Sequence, residues 1–120
     1  MLRTHVATPQ AEVRAVRRSG NQVELDLYIP KTLELFRAHF PRFGILPGVV
    51  QVDWAMNYGR EHLEIAGTFK RLRRLKFLHP ILPGANIVLS LTCESPGTLA
   101  FTYRNSERAC SSGCADFKHD

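Results

Sequence analysis

The stretch "HFPRFGILPGVVQVDWAM", residues 39–56, leads from a segment broken by Pro41, Gly44, Pro47 and Gly48 into an unbroken apolar run that carries one acid, Asp53. Four breakers so close together stop any long regular element before residue 48. From Gly48 to about residue 66 there is no proline, and the apolar residues crowd the first two turns. Val49, Val50 and Val52 would also suit a strand, because β-branched side chains are stiff, but the length of the run favours a helix over residues 48–66. Reading a helix here decides the fold, since what surrounds it has the character of strands.

Upstream, residues 12–18 and 22–29 flank "SGN", a hairpin signal. Val23, Leu25, Leu27 and Ile29 alternate with polar residues, as a strand buried on one face requires. Pro30 ends that strand, and an irregular connector follows. Downstream, strands are expected over 68–77, 86–94 and 98–103, with "ESPGT" turning between the last two. Ile87, Leu89, Leu91 and Cys93 share one face, as do Leu99, Phe101 and Tyr103. A last strand covers 109–117, where "CSSG" is a poor packing sequence and Gly113 marks a bulge. Two strands, a helix and four strands are not alternating βα units, so the class is α+β with a mostly antiparallel sheet. "ILPG" occurs at 45–48 and again at 81–84, as two changes of chain direction rather than a repeat.

A chain of 120 residues fits one domain, 1–120, with a real core and room for a partner subunit. Hydrophobic content of 44% and charge of 22% exclude a disordered or disulfide-stapled class. The N-terminus lacks the apolar core of a secretory signal and no stretch approaches the roughly 20 apolar residues of a membrane span, so no span and a cytoplasmic location are expected. Cys110 and Cys114 on one strand would lie about 13 Å apart, too far for a bridge, so reduced thiols are expected. With His119 they lack a second ligand pair at zinc spacing, and no metal is expected. His5, His62 and His79 have no evident partners in sequence, and no phosphate-cradling loop or nucleophile elbow occurs. The net charge of +5 points to an acidic partner.

On a helix starting near Gly48, the residues Val49, Asp53, Asn57 and Arg60 fall on or near one stripe. Asp53 sits on the most apolar part, where a buried carboxylate without partners keeps its proton and can act as a general acid. The competing reading bonds Asp53 to Asn57 or Arg60, or solvates it at a subunit interface. His39 is likewise either a structural or exposed loop residue or a base of suitable pKa. The first N–H groups of the helix, at Gly48 and Val49, lack intrahelical partners and either polarise a carbonyl or leave Gly48 serving only the turn.

At these residues the chain resembles the hotdog-fold 3-hydroxyacyl-acyl-carrier-protein dehydratases of the FabA/FabZ superfamily. Their signature runs His-Phe-Pro, two variable residues, Pro, two apolar residues, Pro-Gly, then an acid five residues on. His39, Phe40, Pro41, Ile45, Leu46, Pro47, Gly48 and Asp53 match it, while Ala38 and Gly44 depart from the usual glycine and proline. "LKFLHPILPG", 75–84, matches a second family stretch, and the two motifs cover about a third of the chain. The short N-terminus, "ILPGVVQVDWA" and "CSSG" are most similar to the ApeI-like branch, associated with aryl polyene and related acyl-chain pathways.

The resemblance implies a curved antiparallel sheet wrapped around the helix and two protomers burying a substrate tunnel, with His39 of one meeting Asp53 of the other. It implies dehydration of a 3-hydroxyacyl thioester to a trans-2-enoyl thioester: His39 as base, Asp53 on the departing hydroxyl, Gly48 and Val49 amides on the thioester oxygen. No cofactor is implied beyond the phosphopantetheine that carries the substrate. The implied partners are an acyl carrier protein and a second hotdog subunit, identical or different. Lys70, Arg71, Arg73 and Arg74 of "KRLRRLK" would dock the carrier or simply protect an edge strand, and nucleic acid is disfavoured because no stacking aromatics alternate with the charges. An acyl-CoA thioesterase and a non-catalytic subunit that binds acyl carriers are the alternatives on the same fold.

Overall fold

A computed structural model describes residues 10–33, 44–106 and 108–119. Within them lie strands β1 (Glu12–Ser19), β2 (Gln22–Tyr28), β3 (Thr68–Phe77), β4 (Asn86–Ser95), β5 (Thr98–Arg104) and β6 (Ala109–Lys118), and helix α1 (Gly48–Leu63). The strands form one antiparallel sheet in the order β1-β2-β4-β5-β6-β3, which leaves β1 and β3 as its edges. No helix among the described residues is long and apolar enough to cross a membrane.

Alternation in the central strands builds the core. Val23, Leu25, Leu27, Ile87, Leu89, Leu91, Leu99, Phe101 and Tyr103 are all buried. Their register aligns them in rows, with Leu89 directly opposite Leu25 on β2 and Tyr103 on β5. Helix α1 packs on β2, β4 and β5 and buries Gln51, Val52, Trp54, Ala55, Tyr58, Gly59 and Leu63. Removing this apolar surface from water, at about 25 cal/mol per Å², is the main force holding helix to sheet.

The two "ILPG" turns are joined to each other. Leu46 N donates to Ile81 O at 2.8 Å, and both side chains are buried. The second turn is fastened to the end of β2, where Ile29 N donates to Ala85 O at 3.0 Å and Gly84 N to Ile29 O at 2.7 Å. These bonds fix the entry point of α1 at one end of the sheet.

Two expectations need correction. The helix ends at Leu63 rather than near residue 66, because Glu64 adopts a left-handed conformation (φ 56°) that stops the helical ladder. Gly113 is not a bulge: it pairs in register with Phe101, whose ring carbons lie 3.0 Å from where a Cβ would stand. The irregularity falls instead on the neighbouring β3, between Arg73 and Lys76, where Arg74 has φ 56°. Nor does "CSSG" pack poorly, since Cys110, Ser111, Gly113 and Cys114 are buried.

Candidate active site

Helix α1 begins without a side-chain cap. Pro47 is extended (φ −62°, ψ 146°), and its carbonyl accepts from both Val50 N and Gln51 N at 3.1 Å. The N–H groups of Gly48 and Val49 have no acceptor among the described residues. Unmet donors at the positive end of a helix favour an oxygen that carries negative charge.

Beside this turn lies a cavity of about 380 Å³, walled by Ile45, Leu46, Phe77 and Leu78, with Gly48 and Gln51 also on its lining. A Cβ at position 48 would stand 2.6 Å from Phe77 Cζ, so glycine is what lets the ring lie against the helix start. The cavity's apolar wall is open to solvent: Ile45, Phe77 and Leu78 are each about half exposed, and Val49, next to Gly48 in the chain, is 76% exposed. His79, also on the lining, lies with Nδ1 3.4 Å from Arg108 Nη1. A guanidinium only donates, so this contact makes Nδ1 the acceptor.

Asp53 stands five residues beyond Gly48, about 7.5 Å along the helix axis. It is half-buried, not sealed in the core, because its apolar neighbours in sequence point to other faces of the helix. Asn57 Nδ2 donates to Asp53 Oδ2 at 3.3 Å. Arg60, the other foreseen partner, turns away: its guanidinium donates to Gly67 O at 3.1 Å and lies 4.7 Å over the Phe117 ring. The foreseen stripe therefore exists, but it faces the open side of α1. His39 lies outside the described residues.

The basic strand is β3, an edge as foreseen. Arg73 Nε and Arg71 Nε reach Asp116 Oδ2 at 2.7 and 2.8 Å, Arg73 Nη2 reaches Oδ1 at 3.0 Å, and Thr98 Oγ1 donates to Oδ1 at 3.2 Å. The Arg73 and then the Arg71 hydrogen bonds hold the Asp116 carboxyl well below its ordinary range, and the same pairing raises Arg73. Of the four residues read as a carrier-docking patch, Arg71 and Arg73 thus turn charge inward onto Asp116. Lys70 and Arg74 are exposed and make no ion pair with a described residue.

Sequence reasoning passed over the polar groups beneath α1. Gln51, 3% exposed, bonds Leu46 O and Ser111, and Tyr103 OH donates to Gln51 O at 2.7 Å. The signal was a glutamine inside "GVVQVDWA". Burial pushes the Tyr103 phenol well above its ordinary value, with Tyr58 and Asp53 adding to the rise. The Tyr58 hydroxyl is buried with no hydrogen-bond partner among the described residues. The three cysteines are unpaired, and no group of three or more His, Cys, Asp or Glu among the described residues could hold a metal.

This arrangement has close counterparts. The solved dehydratase heterocomplex ApeI:P from Xenorhabdus doucetiae has a chain that superposes with a TM-score of 0.80 at 29% identity, over 92% of this chain and 97% of that one. An uncharacterized protein from Erwinia carotovora subsp. atroseptica superposes at 0.75 and 34% identity, over 92% and 96%. A thioesterase superfamily protein, at 16% identity and a TM-score of 0.59, shares the fold. In sequence, the FabZ 3-hydroxyacyl-[acyl-carrier-protein] dehydratase of Erythrobacter litoralis (strain HTCC2594) is 34% identical over 80 residues, which cover 59% of this chain and 53% of that protein. The pattern of ApeI dehydratases matches residues 15–114. The match over residues 15–114, together with a six-stranded antiparallel sheet packed on α1 among the described residues, places the chain in the ApeI-like dehydratase family of the hotdog superfamily.

Proposed function

We propose that this protein removes water from a 3-hydroxyacyl thioester carried on phosphopantetheine, giving a trans-2-enoyl thioester. The observation that carries the reading is a helix start beside an apolar cavity, whose first two amides have no acceptor among the described residues, with a half-buried carboxylate steadied by Asn57 five residues along the same helix. The amides of Gly48 and Val49 hold the thioester oxygen and stabilise the enolate-like charge that forms as C2 loses its proton. His39, from a second subunit, takes that proton. Asp53 orients the 3-hydroxyl and helps it leave as water when the C2–C3 double bond forms. The thioester itself acidifies C2, so the elimination needs no redox or metal chemistry.

The open apolar wall supports a second subunit at this face, because exposed patches of this kind mark joining surfaces. The solved ApeI:P heterocomplex favours a second reading in which the partner is a different hotdog chain and this protein is incomplete alone.

Purified protein, alone, should convert a 3-hydroxyacyl carrier substrate to the enoyl product, detected by mass spectrometry. His39→Ala should lower that turnover by at least about 10²-fold, and full activity in this variant would remove the proposed base. Released thiol without enoyl product would mark thioester hydrolysis instead. Activity only after addition of a second hotdog chain would select the heterodimeric reading.

A further inference from the structure

The proposed elimination makes no use of the polar network under the cavity, yet each of its three side chains makes a hydrogen bond in the core. Gln51, Ser111 and Tyr103 come from α1, β6 and β5, and they are 3%, 0% and 0% exposed. Tyr103 and Ser111 oppose each other on one rung of the sheet, so both hydroxyls reach the helix from the same level. Ser111 Oγ donates to Gln51 Oε1 at 2.6 Å, and Tyr103 OH donates to the Gln51 carbonyl at 2.7 Å. Gln51 Nε2 donates to Leu46 O at 3.0 Å. The orientation of the side-chain amide follows, since Leu46 O can only accept.

A leucine would fill this site without the desolvation that a buried amide must recover through its bonds. What glutamine adds is a hold on the turn before it. Its backbone N–H, together with that of Val50, fixes the Pro47 carbonyl, and its side chain fixes the Leu46 carbonyl. The Pro47 C=O and the Gly48 N–H belong to one planar peptide unit, so holding the first directs the second. Leu46 N is itself held by Ile81 O, which leaves the turn little freedom.

We infer that Gln51 is a positioning residue, held in turn by Ser111 and Tyr103, that aims the free N–H groups of Gly48 and Val49 at the thioester oxygen. This rests on the dehydratase reading for the identity of that oxygen. Preorganised donors stabilise charge because no reorientation is needed when the charge forms, and the buried bonds supply that rigidity.

The test compares wild type with Gln51→Leu, Ser111→Ala and Tyr103→Phe, reading kcat, KM and the infrared carbonyl stretch of a 13C-labelled trans-2-enoyl thioester bound to each protein. Gln51→Leu should lower kcat by about 10- to 100-fold with KM within about twofold, the pattern of an interaction made in the transition state. The bound carbonyl stretch should move back toward its solution position. The two hydroxyl deletions should shift both readouts the same way by less. An unchanged stretch in folded Gln51→Leu overturns the inference, whatever happens to kcat, because donors that have lost their aim cannot leave the carbonyl polarisation intact. Should that variant fail to fold, an unchanged stretch in both Ser111→Ala and Tyr103→Phe overturns it equally. A wild type that shifts the carbonyl without forming or hydrating an enoyl product would sink the dehydratase reading and leave the positioning role to be judged by the variants.

Discussion

The two faces of α1 follow opposite rules. Toward the sheet, Gln51, Trp54, Ala55 and Tyr58 are each under 10% exposed, and Gln51 spreads its bonds over Leu46, Ser111 and Tyr103. Toward the open side, Val49 is 76% exposed, Asn57 and Arg60 are exposed, Asp53 is half-buried, and two backbone N–H groups have no acceptor among the described residues. Apart from the Tyr58 hydroxyl, the first face meets its polar needs within the chain. The other holds an acid, two donors and a bare valine, which gain nothing from one another in water but make sense when a thioester and a second subunit cover them.

If that division of labour is right, substitutions on the two faces should separate activity from stability. Asp53→Asn should lower dehydration by roughly 10²- to 10⁴-fold, the range for losing an acid–base group. Among the described residues its one hydrogen bond is the 3.3 Å contact with Asn57, so unfolding free energy should move by less than about 0.5 kcal/mol, measured by denaturant titration. Leu89→Ala, at a fully buried position between Leu25 and Tyr103, should do the reverse. It should cost about 2–5 kcal/mol of stability while the folded fraction keeps its turnover. A destabilised Asp53→Asn with normal turnover would erase the contrast.

Gly48→Ala probes the boundary between the faces. The new methyl would meet Phe77 Cζ at 2.6 Å, and the atom it meets is the free end of a ring that can swing. Stability should change by no more than about 1 kcal/mol, the helical gain over glycine offsetting the crowding. Turnover should fall about 10- to 100-fold, as expected when reacting groups shift by an ångström or so. Unaltered kinetics would place the substrate elsewhere.

The contrast also explains what could be read in advance. The alternation of Val23, Leu25 and Leu27, or of Leu99, Phe101 and Tyr103, is a local property of a one-sided strand, and all six are buried as the pattern requires. The run after Gly48 was long enough to show a helix. Its end was not legible, because a glutamate in the left-handed conformation at position 64 carries no residue-type signal. Asp53 looked buried because valine and tryptophan flank it in sequence, yet adjacent residues on a helix face different ways. The network of Gln51 with Tyr103 and Ser111 joins residues 52 and 60 positions apart, and the Arg71 and Arg73 bonds to Asp116 span 45 and 43. Such pairs depend on cross-strand register, which is set by the assembled sheet.

The smallest expected effect concerns Asp116. Its folded carboxyl sits well below the ordinary value of about 3.9, held by Arg73 and Arg71. A depressed folded pKa means the unfolded state binds the proton first, so this contribution is complete above about pH 4 and is lost as pH falls toward the folded value. Asp116→Asn should therefore be less stable than wild type at neutral pH, and the two stability curves should converge below pH 4, followed by thermal melting across pH. Parallel curves would show that the pairing contributes nothing. The same variant sharpens the reading of β3. Without the carboxylate, Arg71 and Arg73 lose the anion that draws them onto the sheet, so affinity for an acidic carrier protein should rise if the strand docks it by charge, and the rise should vanish at high salt. An affinity indifferent to both Asp116→Asn and salt would leave these arginines as guardians of a sheet edge.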